Sequence, residues 1–251
     1  MSRIGTNISN WIRDYADSHD INTLVMGISG GIDSSVVSTL CAMTGMKTIV
    51  VTMPIKQNVD QHDLSIKHGK WLMQNYNNVE HQVIKLDDLY HTFRDIMHTY
   101  NNDLAWANSK SRMRMITLYQ IAGATNGIVV GTGNKVEDFG VGFYTKYGDG
   151  GVDISPIGDL MKSQVYELAR ELKIDQAIID APPTDGLWED NRTDEDQLKG
   201  LTYDDLERAM ELEQLSAITV DKDSKLMQIY KEIKNKNIHK MQPIPIYKLE
   251  K

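Results

Sequence analysis

The sequence is short of several residue types and patterns, and each shortage excludes a class of protein. Its 251 residues include a single cysteine, Cys41, which allows neither an intrachain disulfide nor a zinc site built from cysteine thiolates. No apolar run approaches the ~20 residues of a membrane-spanning helix, and the N-terminal segment lacks the apolar core of a signal peptide. We therefore expect a cytoplasmic protein without a membrane partner, in which Cys41 is a buried structural thiol.

Positive charge is also scarce. Lys and Arg number 27 against 35 Asp and Glu, which gives a formal net charge of −8 and argues against a general nucleic-acid-binding surface. A small anionic substrate fits this charge only if basic side chains gather at one place. Apolar residues make up 41% of the chain, as in ordinary globular proteins, and no linker divides it, so we expect one domain over residues 1–251.

Short apolar runs alternate with helical periodicity along the chain. Four runs have the length of a strand: 24–28, 48–53, 81–86 and 127–131. Helical spacing covers 7–18, 34–44, 61–76, 88–121 in one or two pieces, 160–172, 203–215 and 223–236, whereas 132–156 and 181–196 have the composition of long loops. This alternation predicts an α/β fold with an open, mostly parallel sheet, doubly wound with helices on both faces. Ligands of such folds bind beyond the carboxyl ends of the strands.

A glycine-rich segment, GISGGIDSS at 27–35, follows the first predicted strand directly. Glycines let backbone amides approach an anion, and the helix that follows presents its positive end, so the segment is typical of a phosphate-binding loop. No lysine follows the glycines, so the Walker pattern does not apply, and the dinucleotide pattern G-x-G-x-x-G fails as well. An ordinary strand-to-helix turn, with Asp33 favoured by the helix dipole, is the alternative.

The motif SGGIDSS resembles the SGGxDS loop of the ATP pyrophosphatases, which cleave ATP to AMP and pyrophosphate while activating a carbonyl or carboxylate. Five further segments resemble one branch of that superfamily, the NAD synthetases, in the same order from about residue 24 to 240. These are NSKSRMRM at 108–115, GTGNKVE at 131–137, TKYGDGGVDISP at 145–156, LMKSQVYELA at 160–169 and APPTDGLWED at 181–190.

The resemblance implies an adenine nucleotide alpha hydrolase-like fold and an enzyme that amidates deamido-NAD with ammonia. ATP would be the co-substrate, Mg²⁺ the metal, an acyl adenylate the intermediate, and NAD, AMP and pyrophosphate the products. Family members that use glutamine carry a glutaminase domain of several hundred residues, for which 251 residues leave no room. A homodimer is implied as well, with Ile96, Met97, Met115, Leu118 and Ile121 as a candidate contact face that could equally pack on its own sheet.

The family's site residues can be carried over wherever the motifs match. ATP would be bound by Gly27, Ile28, Ser29, Gly30, Gly31, Ile32, Asp33, Ser34, Thr132, Lys162 and Thr184. Asp33 and Glu137 would ligate the metal, which fits a hard cation that takes oxygen ligands. Deamido-NAD would be bound by Arg112, Lys146, Asp153, His239 and Lys240. The catalytic residues would be Asp149, which helps to deprotonate ammonium, together with Lys146 and Thr184.

Simpler interpretations of these residues stay open at this point. Glu137 could be an exposed loop acid, Lys146 and Asp149 part of a surface turn, and Thr184 a cap. Arg112 and Arg114 could form a solvated helix face, and His239 and Lys240 a basic C-terminus. The substrate interpretation requires Lys110, Arg112, Arg114, Lys146, Lys162 and Lys240 to converge.

Besides a short segment before the first strand, the sequence departs from the family pattern at two places. Met241 stands where an arginine is usual, and the stretch from Glu137 to Lys146 is one residue longer than in many members. Two rival functions also remain: a tRNA-thiolating or purine-amidating enzyme, and a non-catalytic nucleotide-binding module. The single cysteine and the acidic charge argue against the first, whereas Asp33, Glu137 and Lys162 argue against the second.

Overall fold

A computed structural model describes residues 3–56, 59–188, 190, 192–215 and 225–249. Its sheet has four parallel strands in the order β3-β2-β1-β4: β1 (Thr23–Gly27), β2 (Lys47–Thr52), β3 (Val79–Val83) and β4 (Gly127–Val129). A parallel bridge between Val130 and Ile154 continues the sheet past β4. The predicted parallel sheet is therefore confirmed, with each strand within a few residues of its predicted position.

The helices follow the strands in the predicted alternation. They are α1 (Arg3–Ser18), α2 (Ile32–Met43), α3 (Val59–Asn75), α4 (Asp87–Ile96), α5 (Asp103–Ala124), α6 (Lys162–Glu171), α7 (Gln176–Ile179), α8 (Asp194–Gln197), α9 (Tyr203–Leu215) and α10 (Lys225–Met241). The stretch predicted at 88–121 is two helices, because the side chain of Asn102 caps α5 by accepting a hydrogen bond from Ala105 N at 3.0 Å. Residues 223 and 224 of the last predicted helix lie outside the described residues.

Alternate residues of β1 enter two different cores. Leu24 and Met26 belong to the cluster formed with α1, α2 and α6, while Val25 belongs to the cluster formed with α4 and α5. A strand sends successive side chains to opposite faces, and here both faces are covered. The fold is thus doubly wound, and Cys41 is fully buried in the first core, as predicted.

A third cluster lies beyond the end of β4. Here a π-helix, Val136–Val141, packs against α9 and α10 through Val141, Leu206 and Tyr230. The sequence prediction of an unbroken loop over 132–156 is wrong at this point, because six residues that include a glycine show no helical period. The loop predicted at 181–196 likewise contains the short helix α8, capped by Thr193.

No helix among the described residues is long and apolar enough to cross a membrane. Three of the five side chains proposed for a dimer contact, Met97, Leu118 and Ile121, pack partly buried against the second core. Met115 lines a cleft described below, and Ile96 is 69% exposed. The alternative of packing on their own sheet therefore holds for Met97, Leu118 and Ile121.

Candidate active site

A cleft of about 470 Å³ opens where β1 and β4 end. Its wall contains the whole glycine-rich loop, residues 27–34, and it also contains Thr132, Glu137, Asp149, Lys162 and Thr184. Residues predicted from five separate sequence motifs therefore line one cavity. This is the edge at which doubly wound sheets bind their ligands.

The glycine-rich loop is held in a shape that only glycine allows. Gly30 has φ +90°, and a Cβ placed on it would lie 2.4 Å from the carbonyl oxygen of Gln61. The hydroxyl of Ser34 accepts a hydrogen bond from Ser29 N at 3.2 Å and donates to Gly31 O at 3.0 Å. The loop thus leads directly into the N-terminus of α2, where backbone amides favour an anion.

The two acids predicted to ligate a metal meet around one lysine. Lys162 Nζ lies 2.5 Å from Asp33 Oδ2 and 3.0 Å from Glu137 Oε1, and Lys162 is only 3% exposed. Asn134 donates to Asp33 Oδ1 at 3.0 Å, and its own oxygen accepts from Glu137 N at 3.1 Å. Sequence reasoning assigned Lys162 to ATP, but it did not foresee that the ammonium group would bridge both carboxylates.

These buried charges shift one another's pKa values. Burial alone would lower the pKa of Lys162, but the two carboxylates raise it above its ordinary value. For Asp33, burial outweighs the attraction of Lys162, so its pKa is raised. Burial also acts to raise the pKa of Glu137, but Lys162 and a hydrogen bond from Tyr203 outweigh it, so this pKa is lowered. Of the two carboxyl groups, that of Glu137 therefore stays ionised to the lower pH.

A second acid, Asp194, stands behind Glu137. The hydroxyl of Tyr203 lies 2.7 Å from Glu137 Oε1 and 2.8 Å from Asp194 Oδ2. Asp194 is 5% exposed, and within the described chain its Oδ1 has no hydrogen-bond partner. Burial and the charge of Glu137 raise the pKa of Asp194 to about 7. Sequence reasoning missed Tyr203 and Asp194, because nothing in the sequence connects residues 66 and 57 positions from Glu137 to that side chain.

Asp138, the neighbour of Glu137, also lines the cleft. Burial raises its pKa to about 8, and the nearby charges of Glu137 and Asp149 act in the same direction. A Cβ on Gly133 would lie 2.1 Å from Asp138 Oδ2, so the carboxylate occupies space that only a glycine leaves free. The cleft therefore carries more acid than the sequence prediction assigned to it.

Asp149 is fixed by the turn that precedes it. Its Oδ1 accepts hydrogen bonds from Ser111 Oγ at 2.7 Å and from Thr145 N at 2.9 Å, and its own N donates to Ser111 Oγ at 2.9 Å. A Cβ on Gly148 would lie 2.2 Å from Ser111 Oγ, which explains the glycine there. Desolvation by the surrounding protein raises the pKa of Asp149, although the residue itself is open to the cleft.

The predicted basic residues fall into two groups. Arg114 and Lys162 line the cleft itself, and Lys110 is buried with its Nζ donating to Leu187 O at 2.9 Å. The second group surrounds the turn at 144–149. Arg112 donates to Lys146 O from Nε and Nη2, each at 3.3 Å, and Lys240 donates to Tyr144 O at 2.7 Å.

The C-terminal helix joins this second group. Lys146 Nζ donates to the carbonyl of His239 at 3.2 Å, which brings the end of α10 to the turn. Asp153, by contrast, forms hydrogen bonds within the protein. Its carboxylate accepts one from Val129 N at 2.7 Å and one from the hydroxyl of Tyr119 at 3.1 Å. The predicted substrate-binding residues are thus brought together in part, with Asp153 also anchoring β4.

Thr184 lies in the segment between α7 and α8 that lines the cleft. Its hydroxyl donates to Arg192 O at 3.2 Å and accepts from Gly186 N at 3.2 Å. These contacts close a turn within the 184–192 segment, and the N-cap of the following helix α8 is Thr193, so Thr184 does not cap that helix. Its position in the cleft wall is also compatible with a contact to a bound nucleotide.

The four-stranded parallel sheet with the glycine-rich loop at its edge has the adenine nucleotide alpha hydrolase-like fold. The family model described as NAD synthase matches residues 4–250. The chain is 35% identical over 236 residues to the NH(3)-dependent NAD(+) synthetase of Carboxydothermus hydrogenoformans, covering 92% of this chain and 91% of that one. It is 39% identical over 214 residues to the protein of the same name from Methanosarcina acetivorans, covering 81% and 80%. The chain belongs to the NAD synthase family.

Solved structures agree with this assignment. The NMN synthetase of Francisella tularensis superposes with a TM-score of 0.86 at 31% identity, covering 98% of both chains. The NH3-dependent NAD synthetase of Campylobacter jejuni gives a TM-score of 0.80 at 24% identity, covering 99% of this chain and 100% of that one, which supports the fold. The similarity therefore extends over the whole architecture and is not confined to the glycine-rich loop.

Proposed function

We propose that this chain catalyses the ATP-dependent amidation of deamido-NAD with ammonia, giving NAD, AMP and pyrophosphate. The observation that carries the proposal is the pairing of Asp33 and Glu137 around Lys162 at the mouth of the phosphate loop, in a chain of the NAD synthase family. The nicotinate carboxylate is a poor electrophile. A carboxylate oxygen attacks the α-phosphate of ATP and pyrophosphate leaves, which gives an acyl adenylate. Ammonia then attacks the acyl carbon, loses a proton and displaces AMP.

The glycine-rich loop would hold the phosphates of ATP. Its backbone amides and the N-terminus of α2 favour the negative charge that grows on the departing pyrophosphate. Thr132, Lys162 and Thr184 lie in the same wall and would add polar contacts. The acidic side chain in this loop, Asp33, would serve the metal and not the phosphate directly.

Mg²⁺ fits the donors that the cleft provides. Asp33 and Glu137 both line the cleft and offer carboxylate oxygens, and this cation is usually bound through one or two carboxylates together with substrate phosphates and water. When bound, Mg²⁺ would neutralise charge on the leaving pyrophosphate. Asn134 and Tyr203 keep the two carboxylates in place, and Lys162 neutralises part of their charge in the folded chain.

Asp149 and Lys146 would carry the second half-reaction. Ammonium must lose a proton before it can attack, and the carboxylate of Asp149, fixed by Ser111 and Thr145 and raised in pKa, can bind ammonium and accept that proton. Lys146 would stabilise the oxyanion that forms when ammonia attacks the acyl carbon of the adenylate. The variant Asp149→Asn should depress ammonia-dependent turnover far more than adenylate formation, and an equal loss of both would contradict this role.

Around the 144–149 turn, deamido-NAD would be bound by Arg112, Lys146, Asp153, His239 and Lys240.

The chain would act as a homodimer in the cytoplasm. It would form one domain over residues 1–251 and would use free ammonia. Exposed apolar side chains on α4 and α5, Ile96 at 69% and both Leu104 and Ile116 at 53%, support a contact surface there. Light scattering would test the dimer. Turnover with glutamine in ammonia-free buffer would contradict the proposal that free ammonia is the nitrogen donor.

A second candidate substrate is nicotinate mononucleotide, the acid that corresponds to NMN. The similarity to the NMN synthetase of Francisella tularensis over 98% of both chains supports it. The chemistry is the same in both cases, since only the nicotinate carboxylate reacts. The deciding experiment measures pyrophosphate release from ATP with ammonium and each acid in turn. We expect a higher kcat/KM for deamido-NAD than for nicotinate mononucleotide. The opposite order would mean that the mononucleotide is the substrate.

A further inference from the structure

One side of α5 forms part of the cleft wall. Four of its residues line the cleft at positions i, i+3, i+4 and i+7 of the helix: Ser111, Arg114, Met115 and Leu118. Residues with this spacing lie along one side of an α-helix, so Arg114 projects from the side that α5 turns toward the cleft. Arg112, two residues earlier, is exposed instead. The solvated helix face considered for both arginines therefore does not describe Arg114.

Arg114 stands between two parts of the candidate site. At one end of this side of α5, Ser111 holds the carboxylate of Asp149, which would bind ammonium. At the other end, Leu118 lies against the glycine-rich loop, because a Cβ placed on Gly27 would be 3.8 Å from Leu118 Cδ1. Arg114 is about one helical turn from each end. The groups that react with one another would lie between the bound phosphates and the bound ammonium, and therefore near Arg114.

The guanidinium of Arg114 is anchored at one nitrogen and open at the other two. Its Nε donates to Met53 O, just past the end of β2, at 3.1 Å. Within the described chain, Nη1 and Nη2 have no hydrogen-bond partner and form no ion pair, yet neither is among the atoms that the fold seals from solvent. Two parallel N–H groups on these nitrogens match the paired oxygens of a carboxylate or a phosphate.

The wall of the cleft is rich in acids and poor in available positive charge. Among the described residues that line it, the basic side chains are those of Arg114 and Lys162. The ammonium of Lys162 already lies between Asp33 and Glu137. Burial lowers the pKa of Arg114, while nearby carboxylates act in the opposite direction. Because an arginine keeps its proton in proteins, this guanidinium favours an anion that comes from outside the chain.

We propose that Arg114 binds an oxyanion of the reacting groups through its two terminal nitrogens, between the glycine-rich loop and Asp149. The oxyanion belongs to the α-phosphate of ATP or to the nicotinate carboxylate, which present the same chemistry to a guanidinium. The inference rests on the proposed function and extends it, because the roles carried over from the family give Arg114 no ligand. The bond to Met53 O would keep the guanidinium in position when the oxyanion binds.

Binding measurements on the whole chain test the proposal. Isothermal titration calorimetry gives dissociation constants for two matched pairs of compounds. AMP is compared with adenosine, which lacks the phosphate, and deamido-NAD is compared with NAD, which has an amide in place of the carboxylate. The measured quantity is the preference for the anionic member of each pair. We expect Arg114→Gln to reduce at least one preference about tenfold, the usual contribution of a hydrogen bond to a charged group.

Two further variants separate binding from folding. Arg13→Gln is the matched control, because Arg13 also donates to a backbone carbonyl, Thr44 O at 3.0 Å, but lies on α1 and does not line the cleft. This variant should keep both preferences. Arg114→Lys keeps the positive charge without the paired N–H groups, so it should retain part of the preference that Arg114→Gln loses. A merely structural Arg114 would weaken both members of a pair equally.

The outcomes identify the oxyanion or overturn the inference. A reduced preference for AMP assigns the α-phosphate, a reduced preference for deamido-NAD assigns the carboxylate, and a reduction of both assigns both. Unchanged preferences in Arg114→Gln, or equal reductions in Arg13→Gln, would overturn the inference. A wild type that prefers neither anionic compound would overturn it as well. If Arg114→Gln does not fold, the same preferences are measured in Arg114→Lys.

NAD formation by the wild type is assayed in parallel with these binding measurements. NAD formed by the wild type, with both preferences unchanged in Arg114→Gln, would refute this inference alone. A reduced preference for AMP in Arg114→Gln, with no NAD formed by the wild type, would refute the proposed function alone.

Discussion

Replacing Lys162 with methionine tests whether this lysine holds the cleft together before any substrate binds. Methionine keeps the length of the side chain but removes the ammonium that lies 2.5 Å from Asp33 and 3.0 Å from Glu137. Both acids would then be buried without a counter-charge. Breaking a buried ion pair from one side costs about 3–5 kcal/mol.

The structure places this variant toward the lower end of that range. The side chain of Lys162 is 4% exposed, but those of Asp33 and Glu137 are 17% and 18% exposed, so water can relieve part of the cost. We expect a loss of about 3 kcal/mol, or roughly 6–12 °C in melting temperature for a chain of this size. Lys199→Met is the control, because its partner Glu232 is 66% exposed and surface pairs contribute ~1 kcal/mol or less.

The pKa shifts of the paired acids predict how the stability difference between wild type and Lys162→Met changes with pH. The pKa of Glu137 is lowered in the folded chain, so its pairing contributes stability above the ordinary value of 4.5 and loses it as the pH falls through the lowered value. Without Lys162, burial would raise the pKa values of Asp33 and Glu137, so the variant would take up protons at a higher pH than the wild type, and the gap in stability should narrow as denaturant titrations move from about pH 7.5 toward pH 4. Equal stability of the two proteins at neutral pH in metal-free buffer would refute the reasoning.

Two further predictions concern the fold around the cleft. His68 is 3% exposed and burial lowers its pKa to about 4, so the folded chain loses about 3 kcal/mol as the pH falls from about 6.5 to 4. His68→Gln should lose that part of the slope in urea titrations, whereas the exposed His98→Gln should keep it. Gly30→Ala should abolish pyrophosphate release, since its Cβ would meet Gln61 O at 2.4 Å. The control Gly200→Ala has a similar positive φ but nothing within 4 Å, so unchanged activity in Gly30→Ala would contradict the packing argument.

The strands were predictable because most of them are continuous buried apolar runs. The predicted strand at 48–53 corresponds to β2 (Lys47–Thr52), where every residue after Lys47 is buried. The prediction at 81–86 is displaced toward the C-terminus of β3 (Val79–Val83), because this strand lies at an edge and carries polar residues. The apolar residue Ile84 that attracted the prediction lies just beyond it, bonded by its N to Thr52 O.

Only those residues of the candidate site that belong to a sequence motif could be predicted. The proximity of Asp33 and Glu137 followed from the loops after β1 and β4, since parallel strands end at the same edge. The contacts of Tyr203 and Asp194 could not follow, because they depend on how α9 packs against the π-helix. A side chain that acts through tertiary packing leaves no local pattern in the sequence.

The π-helix at Val136–Val141 is a place where the length of the chain could differ between relatives. A π-helical turn holds about one residue more than an α-helical turn, so a chain can take up an inserted residue there without displacing its flanks. The family resemblance predicts that the stretch from Glu137 to Lys146 is one residue longer than in many members, and in the structure Glu137 contacts Lys162 and the carbonyl of Lys146 accepts from Arg112. Relatives of ordinary length should show a plain helical turn here with both contacts unmoved. The cleft thus has one place where its chain can change length while its charges stay in position.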